Sequence, residues 1–364
     1  MVVYSPNPRV TRHALVISGL ALTGALLVGC SQPGSAGGNS DDAGDASDTV
    51  TLIVHDSFVP EEDFEKAASE ATGYDVKVIT AGDGGELTNQ LVLTKGEPLA
   101  DAFFGVDHIF ASRLVEHEVT EAYLPENLPE RAKQYAVTDE GALTPIDVAA
   151  TCINVDTVWF DEAGMQAPET YEDLAKPEYR DLTVLLDPTS SSTGASFLIG
   201  TIAHFGEEGY LDYWSSLVDN GARVEQGWND AYYTHFTGGN ADGTYPIVVS
   251  YSSSPGYTLT EDGKGSTTSA PLATCSSQVE YAGVLAGAKN SAGAQAVIDY
   301  LLSSDFQNTI AETMYVYPID ESAHVPEEWQ EFAPLPEAPN DLSATQIGEG
   351  RDGWLKALSE TIGL

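Results

Sequence analysis

Five short segments carry side chains whose types and spacing suit the capture of a small molecule. One is His55-Asp56-Ser57-Phe58, and another is Gly82-Asp83-Gly84-Gly85, which sets a carboxylate beside bare backbone. Asp83 can accept from a ligand amine or offset a cation, and Gly84 lets a ring come close. An Asx-type turn uses the same residues with no ligand at all. The third, Asp187-Pro188-Thr189-Ser190-Ser191-Ser192-Thr193-Gly194, precedes a helical pattern. Free N–H groups there would favour an anion, phosphate in particular. Capping by Ser192 or Thr193 accounts for part of this run, which is longer than a cap needs. The fourth, Tyr251-Ser252-Ser253-Ser254-Pro255-Gly256-Tyr257, offers ring faces for stacking and serine hydroxyls for hydrogen bonds. A tight turn with packed tyrosines is an equal reading. The fifth is Trp228 in VEQGWNDAYYTHF, behind Gly227 and outside any apolar stripe. Tryptophan is the best side chain for holding a cation over a ring, with core packing as the alternative. Aromatics, a carboxylate and an anion-binding helix end together describe a flat cation with a hydroxyl or phosphate tail.

These segments sit where strands give way to helices. TVTLIVH (49–55), YDVKVIT (74–80), ADAFFGV (100–106), LTVLLD (182–187) and YPIVVSY (245–251) read as strands. Helical patterns follow at 60–73, 85–96, 108–117 and 194–206, with more at 170–179, 292–303 and 350–361. Alternation of this kind predicts an α/β fold on a parallel sheet. Loops at the carboxyl ends of such strands line the crevice where ligands bind.

The chain has 364 residues, with 56 acidic against 15 basic and a formal net charge of −41. That field repels nucleic acid and anionic lipid, so neither is expected as a partner. A solvated acidic surface is the plain account. At the N-terminus Arg9, Arg12 and His13 precede the apolar run ALVISGLALTGALLVG, which ends at Cys30. That order describes an export signal over residues 1–30. Leu27-Val28-Gly29-Cys30 resembles the lipobox of bacterial lipoproteins, in which the cysteine is lipidated. Residues 31–48 are rich in Gly, Ser and Asp and read as a tether. The expectation is a lipoprotein held outside the cell membrane by its lipid alone.

Cys152 and Cys275 remain. In an exported chain they are a disulfide candidate, with two buried thiols as the alternative. No Cys/His spacing suits zinc, so no metal and no cofactor are expected.

At the five segments the sequence resembles the thiamine-binding substrate-binding proteins of ABC transporters. The matching stretches are TLIVHDSF, DGGEL, ADAFFGVD, LLDPTSSSTG, QGWNDAY, VVSYSSSPGY and YVYPI at 315–319. The resemblance implies two lobes of the type II periplasmic-binding-protein fold with two hinge crossings. Lobe 1 would take 49–147 and 268–364, and lobe 2 would take 148–267. It further implies a monomer that captures thiamine or its phosphates and delivers it to an ABC permease and its ATPase. Carried over, the binding positions are Asp83, Gly84, Ser191, Ser192, Trp228, Tyr251, Ser252, Ser253 and Ser254, with Tyr257 as a further wall. His55 stands where an aromatic residue is expected, which thins a stacking wall. Extra residues from Gly238 to Gly243 read as a longer surface turn.

Two other functions compete. A ferric-ion-binding protein of the same fold class would use adjacent tyrosines such as Tyr232 and Tyr233. A helix after GWND would point that pair apart, which favours packed tyrosines. An exported hydrolase would need a serine nucleophile with His55 as a candidate base. No G-x-S-x-G elbow occurs, and the chain is expected not to be an enzyme.

Overall fold

A computed structural model describes residues 48–138 and 141–364. The export signal with Cys30, and the tether as far as residue 47, lie outside the described residues. Contacts gather residues 45–364 into one compact unit.

Eight strands carry the architecture: β1 (Thr49–Val54), β2 (Asp75–Thr80), β3 (Ala102–Asp107), β4 (Thr144–Asp156), β5 (Thr183–Leu186), β6 (Arg223–Glu225), β7 (Ile247–Tyr251) and β8 (Ser276–Leu285). They form one sheet in the order β2-β1-β3-β8-β4-β7-β5-β6. Strands β1, β2 and β3 run parallel at one end, and β5 runs parallel to β6 and β7 at the other. The sheet is mixed rather than parallel, because β8 is antiparallel to β3 and β4, and β4 is antiparallel to β7. Alternation of strand and helix describes each end of the sheet but not the pair of long strands in its middle. Every residue of the 13-residue β4 is buried, as befits a strand covered on both faces.

Helices α1 (Phe64–Thr72), α2 (Gly84–Leu93), α3 (His108–Glu116) and α4 (Thr157–Ala163) follow strands directly or after short turns. They are joined by α5 (Ser192–Phe205), α6 (Tyr210–Asp219), α7 (Ser291–Leu301), α8 (Ser304–Thr313) and α9 (Ala344–Ile362). Helix α1 starts four residues later than its sequence pattern, at Phe64, whose ring is the first to reach the core. Helix α9 starts earlier than its pattern. Ser343 and Gln346 form a capping box there and satisfy its first N–H groups. Among the described residues no helix is long and apolar enough to cross a membrane.

Cys152 in β4 is bonded to Cys275, just before β8, at an S–S distance of 2.00 Å. The two long central strands are therefore joined covalently as well as by their ladder of backbone hydrogen bonds.

Candidate functional site

The strands end in loops that face one another, and two helix N-termini meet there. Asp83 caps α2, with Oδ1 accepting from the N–H of Gly84 at 2.6 Å. The same oxygen accepts from the N–H of Ser192, the first residue of α5, at 3.0 Å. Its Oδ2 accepts from the N–H of Trp228 at 3.1 Å. One carboxylate thus bridges the two ends of the sheet. Burial raises the Asp83 pKa, while donation from Ser192, Trp228 and Gly84 opposes that rise.

This arrangement changes what several expected residues do. The amide at the start of α5 was expected to meet a ligand anion, and the protein's own Asp83 meets it instead. Ser191, rather than Ser192 or Thr193, is the cap, its Oγ accepting from the N–H of Gly194 at 3.3 Å. Gly84 has no room for a side chain. A Cβ there would lie 1.9 Å from the Ser192 hydroxyl, so the glycine serves close packing of the two helix ends. Ser190 carbonyl accepts from the N–H groups of Gly85 and Glu86 at 3.0 and 3.2 Å, closing the same seam.

Next to the seam lies a cavity of ≈ 250 Å³, near the lower end of the range of about 300–1,000 Å³ typical of small-molecule sites. Of the expected binding residues, His55, Trp228, Tyr251, Ser254 and Tyr257 line it. Asp83, Gly84, Ser191, Ser192, Ser252 and Ser253 do not, and five of these six are buried polar side chains beside it. Ser253 donates to the carbonyl of Tyr315 and so ties the serine turn to the opposite wall.

Trp228 is half-buried and forms one wall. Its indole stacks on Tyr232 with centroids 4.8 Å apart and planes 19° apart. Nε1 donates to Ser250 Oγ at 2.9 Å, and that hydroxyl pairs with Ser254 Oγ at 2.8 Å. The ring is therefore held in place before any ligand arrives. Tyr251 is fixed by Thr193, whose hydroxyl donates to Tyr251 Oη at 3.1 Å. Tyr257 meets Tyr315 edge to face at 4.9 Å.

Tyr232 and Tyr233, read from sequence as packed helix tyrosines, both line the cavity. They fall on a π-helical turn, Ala231–His235, which re-aims them. Tyr232 is 1% exposed and Tyr233 44%, with planes 80° apart. Burial pushes the Tyr233 phenol up to about 12, and Tyr232 higher still. Tyr315 and Glu280 also line the cavity and had no assigned role. Both carried signals. Tyr315 opens YVYPI and adopts a left-handed backbone at φ 55°, a conformation that a bulky residue rarely adopts. Glu280 is a lone acid in the apolar strand VEYAGVLAG.

Comparison with known proteins agrees with this geometry. A thiamine-binding periplasmic protein of Brucella suis biovar 1 is 24% identical over 327 residues, covering 86% of this chain and 92% of the relative. A solved periplasmic thiamin-binding protein superposes with a TM-score of 0.73 at 20% identity, covering 86% of this chain and 96% of its own. Iron-bound HitA from Pseudomonas aeruginosa superposes at 0.66 with 20% identity, covering 87% and 99%. These likenesses establish the two-lobed type II periplasmic-binding-protein fold. Residues 97–341 match the family described as bacterial extracellular solute-binding protein, and the chain belongs to that family.

Proposed function

We propose that the protein captures thiamine outside the cytoplasm and hands it to an ABC permease with its ATPase. The observation that carries this reading is the aromatic box around one acidic side chain: Trp228 stacked on Tyr232, with Tyr233, Tyr251, Tyr257, Tyr315 and Glu280 on the same cavity. Such a box suits a flat organic cation, because ring faces attract positive charge and stack on planar groups. Thiamine is favoured over its phosphates, since Asp83 already holds the amide at the start of α5. Relatives across most of the chain are named for thiamine, which supports the same ligand.

Lobe 1 would comprise 49–147 and 268–364, and lobe 2 148–267, closing on the ligand as a monomer. Lipidation at Cys30 would hold the protein at the membrane, and Cys30→Ser should release it with binding intact. An iron site is the second reading, favoured only by the Tyr232–Tyr233 pair and by iron-binding neighbours of the same fold. It would need phenolates, which the raised pKa values of both phenols disfavour. Calorimetric titration with thiamine, its mono- and diphosphate and Fe(III) tests the proposal. Saturable uptake of thiamine is expected. Uptake of Fe(III) with a visible tyrosinate colour, and none of thiamine, would replace it.

A further inference from the structure

Glu280 reaches the cavity from β8 and is 6% exposed. A buried carboxylate ordinarily takes close hydrogen-bond donors. Here the partners are distant. Gln278 Nε2 lies 3.4 Å from Oε1, and His55 Nε2 lies 3.6 Å from Oε2, beyond hydrogen-bond reach. His55 is 8% exposed, and its Nε2, also on the cavity, has no hydrogen-bond partner among the described residues. Its Nδ1 accepts from the N–H of Ser57 at 3.2 Å. The neutral ring therefore carries its proton on Nε2, facing Glu280.

Two further carboxyls flank Glu280 across the sheet, Asp107 on β3 and Asp147 on β4, each in register with it. Both are fully buried, and the one side chain placed to share a hydrogen bond with Asp147 is Glu280 itself. Burial, then the neighbouring Glu280, holds Asp147 well above the carboxylate range, and burial pushes Asp107 up to about 7. Of the three, Glu280 alone opens onto the aromatic walls.

We propose that Glu280 is the counter-ion for the positive charge of the bound solute, and that a proton on His55 competes with that charge. This rests on the capture of a thiamine-class cation. A ligand cation between the rings supplies the positive charge that Glu280 lacks among its neighbours, His55 being its one ion-pair partner and charged only when protonated. A second proton, on Nδ1 of His55, breaks the Ser57 contact and places a rival cation at the same carboxylate. Burial disfavours that proton, but Glu280 and then Asp83 and Asp56 favour it, and the balance leaves the His55 pKa raised. The other titratable groups on this cluster are Asp107, Asp147 and Tyr251, and burial moves each toward its neutral form. Proton and ligand are therefore linked with opposite sign, and capture strengthens as pH rises through the His55 titration.

The test is calorimetric titration with thiamine, and with its uncharged thiophene isostere, between about pH 6 and about pH 8.5, a window spanning the imidazole titration. Wild-type protein should gain about tenfold in thiamine affinity across it, one proton per ligand giving at most tenfold per pH unit. His55→Phe, which keeps a ring against Phe104, should flatten that profile. Glu280→Gln should bind thiamine at least about thirtyfold more weakly at the high end, the loss expected for a desolvated charge pair. It should bind the uncharged isostere about as well as wild type. Should Glu280→Gln fail to fold, the His55→Phe profile and the isostere on wild type still decide. Wild-type protein that takes up no thiamine at any pH overturns the proposed function and this inference with it. Binding by wild type with an unchanged profile in His55→Phe, or unchanged affinity in Glu280→Gln, overturns this inference alone.

Discussion

The carboxylate of Asp83 accepts the backbone N–H of Trp228 at 3.1 Å, 145 residues along the chain. Through that contact, and through Ser192 N–H at 3.0 Å, the start of α2 is tied to the wall that bears the indole. Asp83 is thus a latch between the two ends of the sheet. Asp83→Asn turns one acceptor oxygen into an N–H₂ facing an N–H, leaving a buried donor unpaired at a cost of about 1–3 kcal/mol. The expected outcome is about tenfold weaker thiamine capture and a larger radius of gyration with ligand present. Unchanged scattering and affinity would remove Asp83 from closure.

Trp228→Ala should weaken thiamine binding about thirtyfold, the value of a desolvated cation–ring contact. It also loses the Tyr232 stack and the Ser250 hydrogen bond. Stability should therefore fall by about 1–2 kcal/mol, less than the roughly 3–5 kcal/mol for truncating a fully buried tryptophan. Trp214, 0% exposed and bonded to Thr201, provides the contrast. Trp214→Phe should lower the melting temperature and leave affinity in place. Equal effects of both variants on affinity would refute the division.

Bridging Cys152 to Cys275 closes a separation of 123 residues. Native disulfides typically contribute about 2–5 kcal/mol. The double variant Cys152→Ala/Cys275→Ala should melt correspondingly lower, as should the wild type under reductant. A melting temperature indifferent to reductant would mean that the bridge adds nothing to the ladder between β4 and β8.

Asp107 gives a pH dependence whose sign is fixed by its burial. Its pKa rises from 3.8 to about 7 on folding, so the native state binds more protons than the unfolded chain between those values. Stability from this group therefore falls as pH rises through that window, by up to about 4 kcal/mol. His108 works against it, because burial lowers its pKa from 6.5 to about 4, and its contribution rises with pH over that range. The difference between variants isolates the carboxyl. Asp107→Asn keeps an acceptor for the N–H groups of Ile109 and Phe110, which Oδ1 holds at 2.8 and 3.0 Å. It should be more stable than wild type at about pH 8 and converge with it near about pH 4, measured by denaturant unfolding. A constant offset would mean that Asp107 does not titrate in this range.

Much of the frame was legible because β1, β3 and β7 are continuous apolar runs and α5 begins at a serine cap. The long β4 shows in its sequence only through its second half, AATCINVD (149–156). Its first residues, Thr144, Pro145, Ile146 and Asp147, look like a loop until a sheet on both sides supplies their partners. Helices α6 and α8 went unread because tyrosines and polar residues interrupt their apolar spacing. At the site, Trp228, Tyr251 and Tyr257 were legible as aromatics outside any apolar period. Glu280 showed only as a lone acid in an apolar strand, since what gives it a role is the set of neighbours across the strands. Asp83 was legible as a special carboxylate, and its partners within the protein were not. Local sequence shows that an acceptor is present and cannot show that amides 109 and 145 positions away arrive to fill it.

The cavity wall has a further consequence. Its rings come chiefly from three short stretches, 228–233, 251–257 and 313–316, which touch the sheet only through Tyr251, the last residue of β7. The frame and most of the cavity's rings thereby come from different parts of the polypeptide, Glu280 on β8 belonging to both. Substitutions in those turns can exchange one solute for another at little cost to the frame, while the strands stay under constraint from their packing. A designer wishing to redirect the protein has those few positions to work with.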